Sequence, residues 1–475
     1  MTTAILVAGL LMVAALAAAS VRAEWRLPAI AFGALAIPGN VDDLLPQMRL
    51  DPHPIPDNLA PVITSLDILI AWAVVLTLLE RRPVTGRAAR LLILAIGLAA
   101  VASVTVVVHL VEGLDPGAGI RGLVVFWRIV ALLYLAISLR SEIGSGRLLG
   151  LAVVAGGVVL LGNGIYTTLS GDLERFTAKT FGRNGFAIAL SVVTVVGAAT
   201  AFDLWSRART DIDRFLAIGC GVIAGACLYG MSATGTRMAF LVILAAAAAA
   251  LILYPERIGR RQIRGIATTG GIAAAVLAAS VLFTTAGGRT MSVITDPENT
   301  VDVVTDPGAA PTEYELRSRG EFWDLAWAMA RSRPLVGVGP FQWNTQRYTL
   351  DPNGPVVVAD AHESYLQVAA EYGFVVLALY LALLAACGLM TVVSIVSRRT
   401  RMEIGWAGMG LIVGAAVIPL AALTNAHVIN PRNGPLEWLL IGAATAVGLS
   451  VAERSAAAAD RSASVPSGAT TAPPG

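Results

Sequence analysis

Residues 91–108 read LLILAIGLAAVASVTVVV, a run without a single charged side chain. A helix of about 20 apolar residues crosses the hydrocarbon core of a bilayer, so this run predicts a membrane-spanning helix. The whole chain of 475 residues has the same character, with 56% hydrophobic and only 14% charged residues. Soluble proteins carry roughly 25% charged residues. The composition therefore excludes ordinary soluble folds and predicts an all-α polytopic membrane protein.

Similar apolar runs recur along the chain and predict about twelve spans by the hydropathy criterion. They lie at 3–20, 61–79, 90–111, 122–139, 148–166, 185–205, 215–233, 236–254, 265–286, 368–394, 405–425 and 436–452. A further run at 27–39 would be a thirteenth span, but it is short and fits a re-entrant or interfacial segment equally well. The net charge of +2 is too small to indicate a nucleic acid or another polyanion as partner.

Arginine clusters orient these spans, because cytoplasmic loops are enriched in basic residues. The clusters fall on alternate connections, at 81–90, 207–214, 257–264 and 398–401. The connections between them are then external, at 112–121, 167–184, 234–236, 287–367 and 426–435. The alternation fails only at Arg22 and Arg26, which would lie outside if the N-terminus is inside; a thirteenth span would remove the conflict. The side of the N-terminus therefore stays open.

One external connection is much longer than the others. It divides the chain into N-terminal membrane helices (1–286), a large external loop (287–367), C-terminal membrane helices (368–452) and a disordered cytoplasmic tail (453–475). The tail is rich in Ala, Ser and Pro, a composition typical of disorder.

The external loop contains an amphipathic helix in YELRSRGEFWDLAWAMARS (314–332), which Pro334 ends. Its apolar positions recur at the spacing of one helix face: Phe322, Trp323, Ala326, Met329 and Ala330. With tryptophan on that face, the helix is expected to lie in the membrane interface. Gly337 and Gly339 in the following PLVGVG segment predict a tight chain reversal that folds this helix against the next one.

Three residues combine a basic side chain with an unusual place in the sequence. Arg237 follows a Thr-Gly-Thr turn at the start of an apolar helix. A cation there opposes the positive end of the helix dipole and is suited to bind an anion supplied from elsewhere. The alternative is an interfacial arginine that reaches the lipid headgroups. Arg319 borders the apolar face of the loop helix, beside Arg317, although a surface ion pair with a nearby glutamate explains it as well.

His362 is the third. Asp360 and Glu363 match a capping box, which predicts a helix that starts at Asp360 and runs into the span at 368–394. His362 would then lie in the first turn, where the dipole favours a neutral ring that can accept a proton. A purely structural histidine is the alternative. The other histidines, His53, His109 and His427, are too scattered for a metal site.

The remaining charges in apolar or basic surroundings have simpler interpretations. Asp67 and Arg128 both fall within predicted spans, where charges are functional candidates, but a structural pair of the two is favoured. Asp211 and Asp213 resemble a metal-binding Asp-x-Asp, yet they lie in a connection on the predicted cytoplasmic side. The cysteines, Cys220, Cys227 and Cys387, lie inside apolar runs and indicate neither disulfide nor metal site.

The order of these motifs is similar to a known family. The segments TGTRMA, RGEFW, PLVGVG and HESYLQVAAEYG, spread over about residues 230–380, resemble the superfamily of O-antigen ligases, O-antigen polymerases and O-linked oligosaccharyltransferases. The resemblance implies a membrane glycosyltransferase of the GT-C type in the bacterial cytoplasmic (inner) membrane. Such an enzyme moves a glycan from a polyprenyl-diphosphate donor, such as an undecaprenyl diphosphate, to an acceptor hydroxyl on the outer face, without a metal or other cofactor.

The resemblance also implies roles for individual residues. Arg237 and Arg319 correspond to arginines that hold the diphosphate, and His362 corresponds to the loop histidine, here interpreted as the base of an inverting transfer. The predicted substrate-binding residues are Arg317, Arg289, Trp323 and His427. One position departs from the family, which often has asparagine directly after the histidine, where this chain has Glu363.

Three other functions compete with a ligase. A polymerase of the same superfamily uses the same donor as a ligase. The two differ in their acceptor, which is a lipid core or other cell-surface glycan, a protein hydroxyl, or the growing polymer itself. A lipid-linked glycan flippase would concentrate its polar residues near the bilayer midplane, whereas here they cluster in one external loop. A non-catalytic scaffold of an envelope assembly complex is the last alternative.

Overall fold

A computed structural model of the chain describes residues 2–37, 63–144, 146–169, 182–234, 311–343, 346, 361, 363–396, 404–423 and 434–463. Over these residues the protein is helical and contains no strand. The helices are α1 Thr2–Ala19, α2 Ala23–Ala36, α3 Ser65–Leu79, α4 Gly86–Val111, α5 Pro116–Ser138, α6 Arg140–Ile143, α7 Arg147–Leu169, α8 Gly182–Ser206, α9 Asp211–Ala233, α10 Pro311–Ser332, α11 Ser364–Val396, α12 Trp406–Ala422 and α13 Gly434–Ala463. The predicted all-α class is confirmed.

Most of the predicted spans coincide with these helices. Seven described helices (α4, α5, α7, α8, α9, α11 and α13) are long and apolar enough to cross a membrane, and α1, α3 and α12 are shorter apolar helices. The predicted spans at 236–254 and 265–286 lie outside the described residues. The protein is therefore a polytopic membrane protein, whereas the total number of spans stays a prediction.

Two boundaries differ from the sequence prediction. The short run at 27–39 overlaps α2, in which every residue from Arg26 to Ala36 except Phe32 is buried, so this part of the helix packs inside the bundle. The length of α2, about 21 Å at 1.5 Å per residue, is less than the bilayer core. At the other terminus, α13 continues to Ala463, so the first part of the predicted disordered tail (453–475) is helical.

Ion pairs join helix ends at one side of the bundle, which we call the basic end. Arg82 pairs with Glu142 at 2.9 Å, and Arg140 pairs with Glu453 at 2.9 Å. Asp203, fully buried near the end of α8, binds Arg147 and Arg207 and accepts a hydrogen bond from the backbone N–H of Trp406 at 3.0 Å. These ion pairs join residues of the predicted cytoplasmic connections, so the described parts of those connections lie at the same end of the bundle.

The N-terminal arginine that disturbed the predicted alternation belongs to this same end. Arg26 is buried and donates to Thr77 Oγ1 at 3.0 Å and to the carbonyl of Val21 at 3.2 Å, and it pairs with Glu80. Glu80 follows α3 and also binds Arg82. The connection between α1 and α2 therefore lies with the other arginine clusters, as the additional N-terminal crossing would require.

The two charges inside predicted spans bind each other. Arg128 Nε and Nη2 donate to the two carboxylate oxygens of Asp67 at 2.6 and 2.7 Å. Asp67 also completes a capping box with Thr64 at the start of α3. A bidentate pair satisfies both charges away from water, so the favoured structural pairing is confirmed.

Asp213 likewise binds nearby groups of the protein, because it accepts hydrogen bonds from the backbone N–H groups of Arg209 and Thr210 at the start of α9.

Candidate functional site

The end of the bundle opposite to the basic end carries residues 333–343, which we call the motif loop because they include PLVGVG. Before the loop, α10 ends at Ser332, as the proline at 334 predicts. The predicted apolar face of α10 is confirmed for Phe322, Ala326, Met329 and Ala330, which are at most 3% exposed. Trp323 is instead 39% exposed and Trp327 40%, so the two tryptophans flank the buried face.

The buried face of α10 packs against protein. Phe322, Ala326 and Met329 form one hydrophobic cluster with residues of the motif loop and of the start of α11. The other members are Val338, Trp343, Ala361 and Ala370. We call this set the loop core. It folds α10 back against α11, as the sequence predicted from the glycines between the two helices.

A break in α11 lets the motif loop bind its backbone. Gly373 has φ 86° and ψ 170° inside α11, so the regular helical hydrogen bonds are interrupted around it. The backbone N–H of Val338 donates to the carbonyl of Ala370 at 2.8 Å, and that of Gly339 donates to Glu371 at 3.1 Å. In return, the N–H of Phe374 donates to the carbonyl of Pro334 at 2.8 Å. The PLVGVG motif and the end of the HESYLQVAAEYG motif thus form the two sides of one backbone contact.

Glycine is required on both sides of that contact. Gly337 has φ +64°, and a Cβ placed there would lie 2.4 Å from the carbonyl carbon of Glu371. Gly373 has φ +86°, and its Cβ would lie 2.5 Å from the carbonyl carbon of Leu335. At both positions the backbone is left-handed and a second backbone segment lies very close. Each of these conditions favours glycine, which has no side chain.

The start of α11 differs from the predicted capping box of Asp360 and Glu363. The helix begins at Ser364, and Ala361 is not helical. Glu363 is the N-cap: its carboxylate accepts from the backbone N–H of Tyr365 at 3.1 Å and from that of Leu366. The prediction that the helix starts at Asp360 with that residue as its cap is therefore wrong. A side-chain acceptor at position 363 is what the helix needs, and asparagine would supply one equally well.

Glu363 is buried. Burial raises the pKa of its carboxyl, while the two backbone hydrogen bonds lower it. Beside it, Gln367 Oε1 accepts from the backbone N–H of Ala361 at 2.7 Å, and its Nε2 donates to Glu371 at 2.7 Å. This chain of buried polar groups fixes Ala361, the residue before His362, to the first turns of α11.

The predicted site residues are described only in part. Arg237, Arg289, His362 and His427 lie outside the described residues. The backbone of α10 includes Arg317 and Arg319, but their side chains lie outside the description; Trp323 is described in full. Convergence of these residues therefore stays a prediction. Within the described ranges, no group of three or more His, Cys, Asp or Glu could hold a metal ion.

Comparison with known proteins concerns the same segment. Residues 222–381 match the family model of the O-antigen ligase. This segment is similar to the O-antigen ligase superfamily, and we call it the O-antigen ligase segment. The resemblance that the motifs predict is thereby confirmed for these residues. No curated protein matches the chain at a significant level of similarity.

The O-antigen ligase segment is bound by helices that precede it. His109 and Glu112 at the end of α4 contact Arg333 and Val336 of the motif loop. At the start of α5, a Cβ on Gly122 would lie 2.7 Å from Cβ of Pro340. Sequence analysis missed these contacts, because His109 carried no spacing signal and α4 and α5 resembled the family only as hydrophobic spans.

Proposed function

We propose that the protein is a glycosyltransferase that moves a glycan from a polyprenyl-diphosphate donor to an acceptor hydroxyl. The observation that carries the proposal is the loop core. Phe322 and Ala361 belong to this one cluster, and they lie three residues after Arg319 and one residue before His362. The residues near Arg319 and next to His362 therefore pack together, which supports the proposal that the two side chains share one site.

In the proposed reaction, a histidine takes up the proton of the acceptor, and arginines stabilise the negative charge of the leaving diphosphate. His362 accepts the proton of the acceptor hydroxyl as its oxygen attacks the anomeric carbon from the face opposite the leaving group. The bond from that carbon to the phosphate oxygen breaks, and the diphosphate keeps the electron pair, which gives inversion. Arg237 and Arg319 donate charge-assisted hydrogen bonds to the leaving diphosphate, so no metal is required.

Further residues are proposed to hold the rest of the donor and the acceptor. Arg289 and Arg317 add guanidinium groups for the diphosphate, and His427 serves the same site from the connection before α13. Trp323 and Trp327 are half exposed, and Trp327 packs edge-on against Phe374 at 5.5 Å between ring centroids. Exposed tryptophans are typical of the membrane interface, where a prenyl chain would lie against them.

The proposed orientation of the protein in the membrane follows from the difference between the two ends of the bundle. The basic end is assigned to the cytoplasm by the distribution of arginine, so the motif loop faces the outside of the bacterial cytoplasmic membrane. The proposed architecture is of the GT-C type: membrane helices at 1–286 and 368–452 support the catalytic loop at 287–367.

A strain that lacks the gene provides the test. We expect it to accumulate lipid-linked glycan on the outer leaflet, and the full-length chain in nanodiscs to consume that extracted donor. Alanine at His362 or Arg319 should reduce transfer by about a hundredfold or more. The matched control is Arg214→Ala, since Arg214 forms an exposed ion pair with Asp211 at the start of α9.

The outcomes separate the competing functions. Full-length but unattached surface glycans in the deletion strain indicate a ligase, and missing long chains indicate a polymerase. Donor trapped on the cytoplasmic leaflet would indicate a flippase and contradict the proposal. Undiminished transfer by His362→Ala would remove the base assignment alone.

A further inference from the structure

We propose that His109, Glu112 and Arg333 form a latch that positions the motif loop for glycan transfer. The inference rests on the proposed function and adds to it three positioning residues, two of them from α4, which lies outside the matched O-antigen ligase segment. None of the three is assigned a contact with the donor or the acceptor.

The first part of the latch is an ion pair. Arg333 Nη1 and Nη2 donate to Glu112 Oε2 and Oε1 at 2.6 and 2.5 Å. The hydrogen bonds from Arg333 hold the pKa of the Glu112 carboxyl below its usual range. Glu112 directly follows α4 as its C-cap residue, and Arg333 directly follows α10. Two parallel bonds between planar groups fix direction as well as distance, so this pair sets where α10 gives way to the motif loop.

The second part is a buried histidine. His109 is 3% exposed, and its Nε2 lies 3.0 Å from the carbonyl oxygen of Val336. That carbonyl can only accept, so Nε2 carries the proton and donates. The other ring nitrogen, Nδ1, faces Glu112 Oε2 at 3.2 Å and Arg333 Nη1 at 3.4 Å. The ring therefore connects the ion pair to the backbone of the loop, within the PLVGVG motif itself.

The loop is a segment that needs such support. Phe341 has φ +57°, a conformation uncommon for a side chain of its size. Residues held in such regions persist only where the surroundings determine them, and they concentrate at functional sites. The guanidinium of Arg121 lies over the Phe341 ring at 5.3 Å, so α5 holds the far end of the loop while the latch holds its beginning.

The exposure of the ion pair argues for positioning over stability. Arg333 and Glu112 are 37% and 42% exposed, and exposed ion pairs contribute little to the free energy of unfolding. Group transfer is far more sensitive to geometry, because a misplacement of about 1 Å can reduce the rate by about a hundredfold. Through the backbone bonds to Ala370 and Glu371, a shift of the motif loop is transmitted to α11 and to the segment before it that contains His362.

The test uses the full-length chain in nanodiscs and the lipid-linked glycan extracted from the deletion strain as donor. Initial rates are measured against donor concentration for Arg333→Gln, Glu112→Gln and His109→Leu. We expect kcat to fall by about tenfold to a hundredfold, with the KM for the donor unchanged and the thermal midpoint lowered only slightly. His109→Gln keeps an amide donor for the Val336 carbonyl and should restore most of kcat. The control, Arg214→Gln, removes an exposed pair at the basic end and should leave kcat unchanged.

Each other outcome overturns the inference. Wild-type kcat in the three variants would show that the latch positions nothing, while the proposed function would stand. A loss of kcat that merely follows a lower thermal midpoint, without rescue by His109→Gln, would assign the three residues to folding. If the wild-type chain consumed no donor at all, the proposed function would fail together with the latch.

Discussion

The two ends of the helical bundle are built from different interactions. At the basic end, arginines are paired with carboxylates across helix ends: Arg82 with Glu80 and Glu142, Arg140 with Glu453, and Arg147 with Asp203. At the opposite end, the Arg333–Glu112 pair is accompanied by backbone hydrogen bonds that join the motif loop to α11, where glycines allow the two backbone segments to touch.

The difference shows how stability and function are divided within one chain. Charges that already have partners inside the protein hold helices together and leave little for a substrate. A loop with strained backbone and close contacts has instead one defined shape, which suits a site that must orient two substrates. We therefore expect substitutions at the basic end to change stability, and substitutions at the motif loop to change transfer.

The largest effect is expected from Gly337→Ala. Its Cβ would meet the backbone of Glu371 at 2.4 Å, so the loop must move away from α11, and transfer should fall by about a hundredfold. Gly86 at the basic end has nearly the same φ, +61°, but nothing within 4 Å of its Cβ. Gly86→Ala should cost about 1–2 kcal/mol of stability and leave transfer per folded molecule unchanged. Equal losses of transfer in both variants would contradict the division between the ends.

The next effect is expected from Asp203→Ala at the basic end. The fully buried carboxylate binds two arginines and the N–H of Trp406, and its removal should lower the free energy of unfolding by about 2 kcal/mol. Transfer per folded molecule should stay at the wild-type level. Thermal unfolding in detergent and a transfer assay on the same samples measure the two quantities. A reduced kcat with unchanged stability would show that the basic end also serves the reaction.

A smaller effect is expected from Glu363→Ala. Loss of the N-cap leaves the N–H groups of Tyr365 and Leu366 without this acceptor, and such losses cost about 1 kcal/mol. Glu363→Asn supplies a new acceptor and should retain stability and transfer, as the family's asparagine at this position implies. Stability is read from thermal unfolding. If asparagine is as damaging as alanine, the carboxylate has a role beyond capping.

The smallest effect concerns pH. The Glu112 carboxyl has a lowered pKa in the folded protein because it binds Arg333, against an ordinary value of 4.5. The stabilisation is therefore complete above pH 4.5 and is lost as the pH falls through the lowered folded-state value. The difference in thermal midpoint between the wild type and Glu112→Gln should shrink as the pH is lowered below 4.5. A difference that grows on acidification would contradict the ion pair.

The sequence by itself determined the membrane class, the helices and the places where chemistry is expected. Hydropathy is a local property, so runs such as 91–108 mark their helices without knowledge of neighbours. The periodicity of 322–330 and the proline at 334 likewise defined α10, and the motif order indicated the superfamily. The prediction failed where two local signals competed: Asp360 and Glu363 matched a capping box, but the helix uses Glu363 itself as its cap.

Only the tertiary structure decided which distant residues meet. The contact between the motif loop and α11 uses backbone N–H and carbonyl groups, which every residue has and which leave no trace in the sequence except the glycines. The bonds of His109 and Glu112 to the loop join residues more than 200 positions apart. Such pairings depend on how α4, α10 and α11 pack, and packing is decided by the whole bundle because no single segment carries the information about its partner.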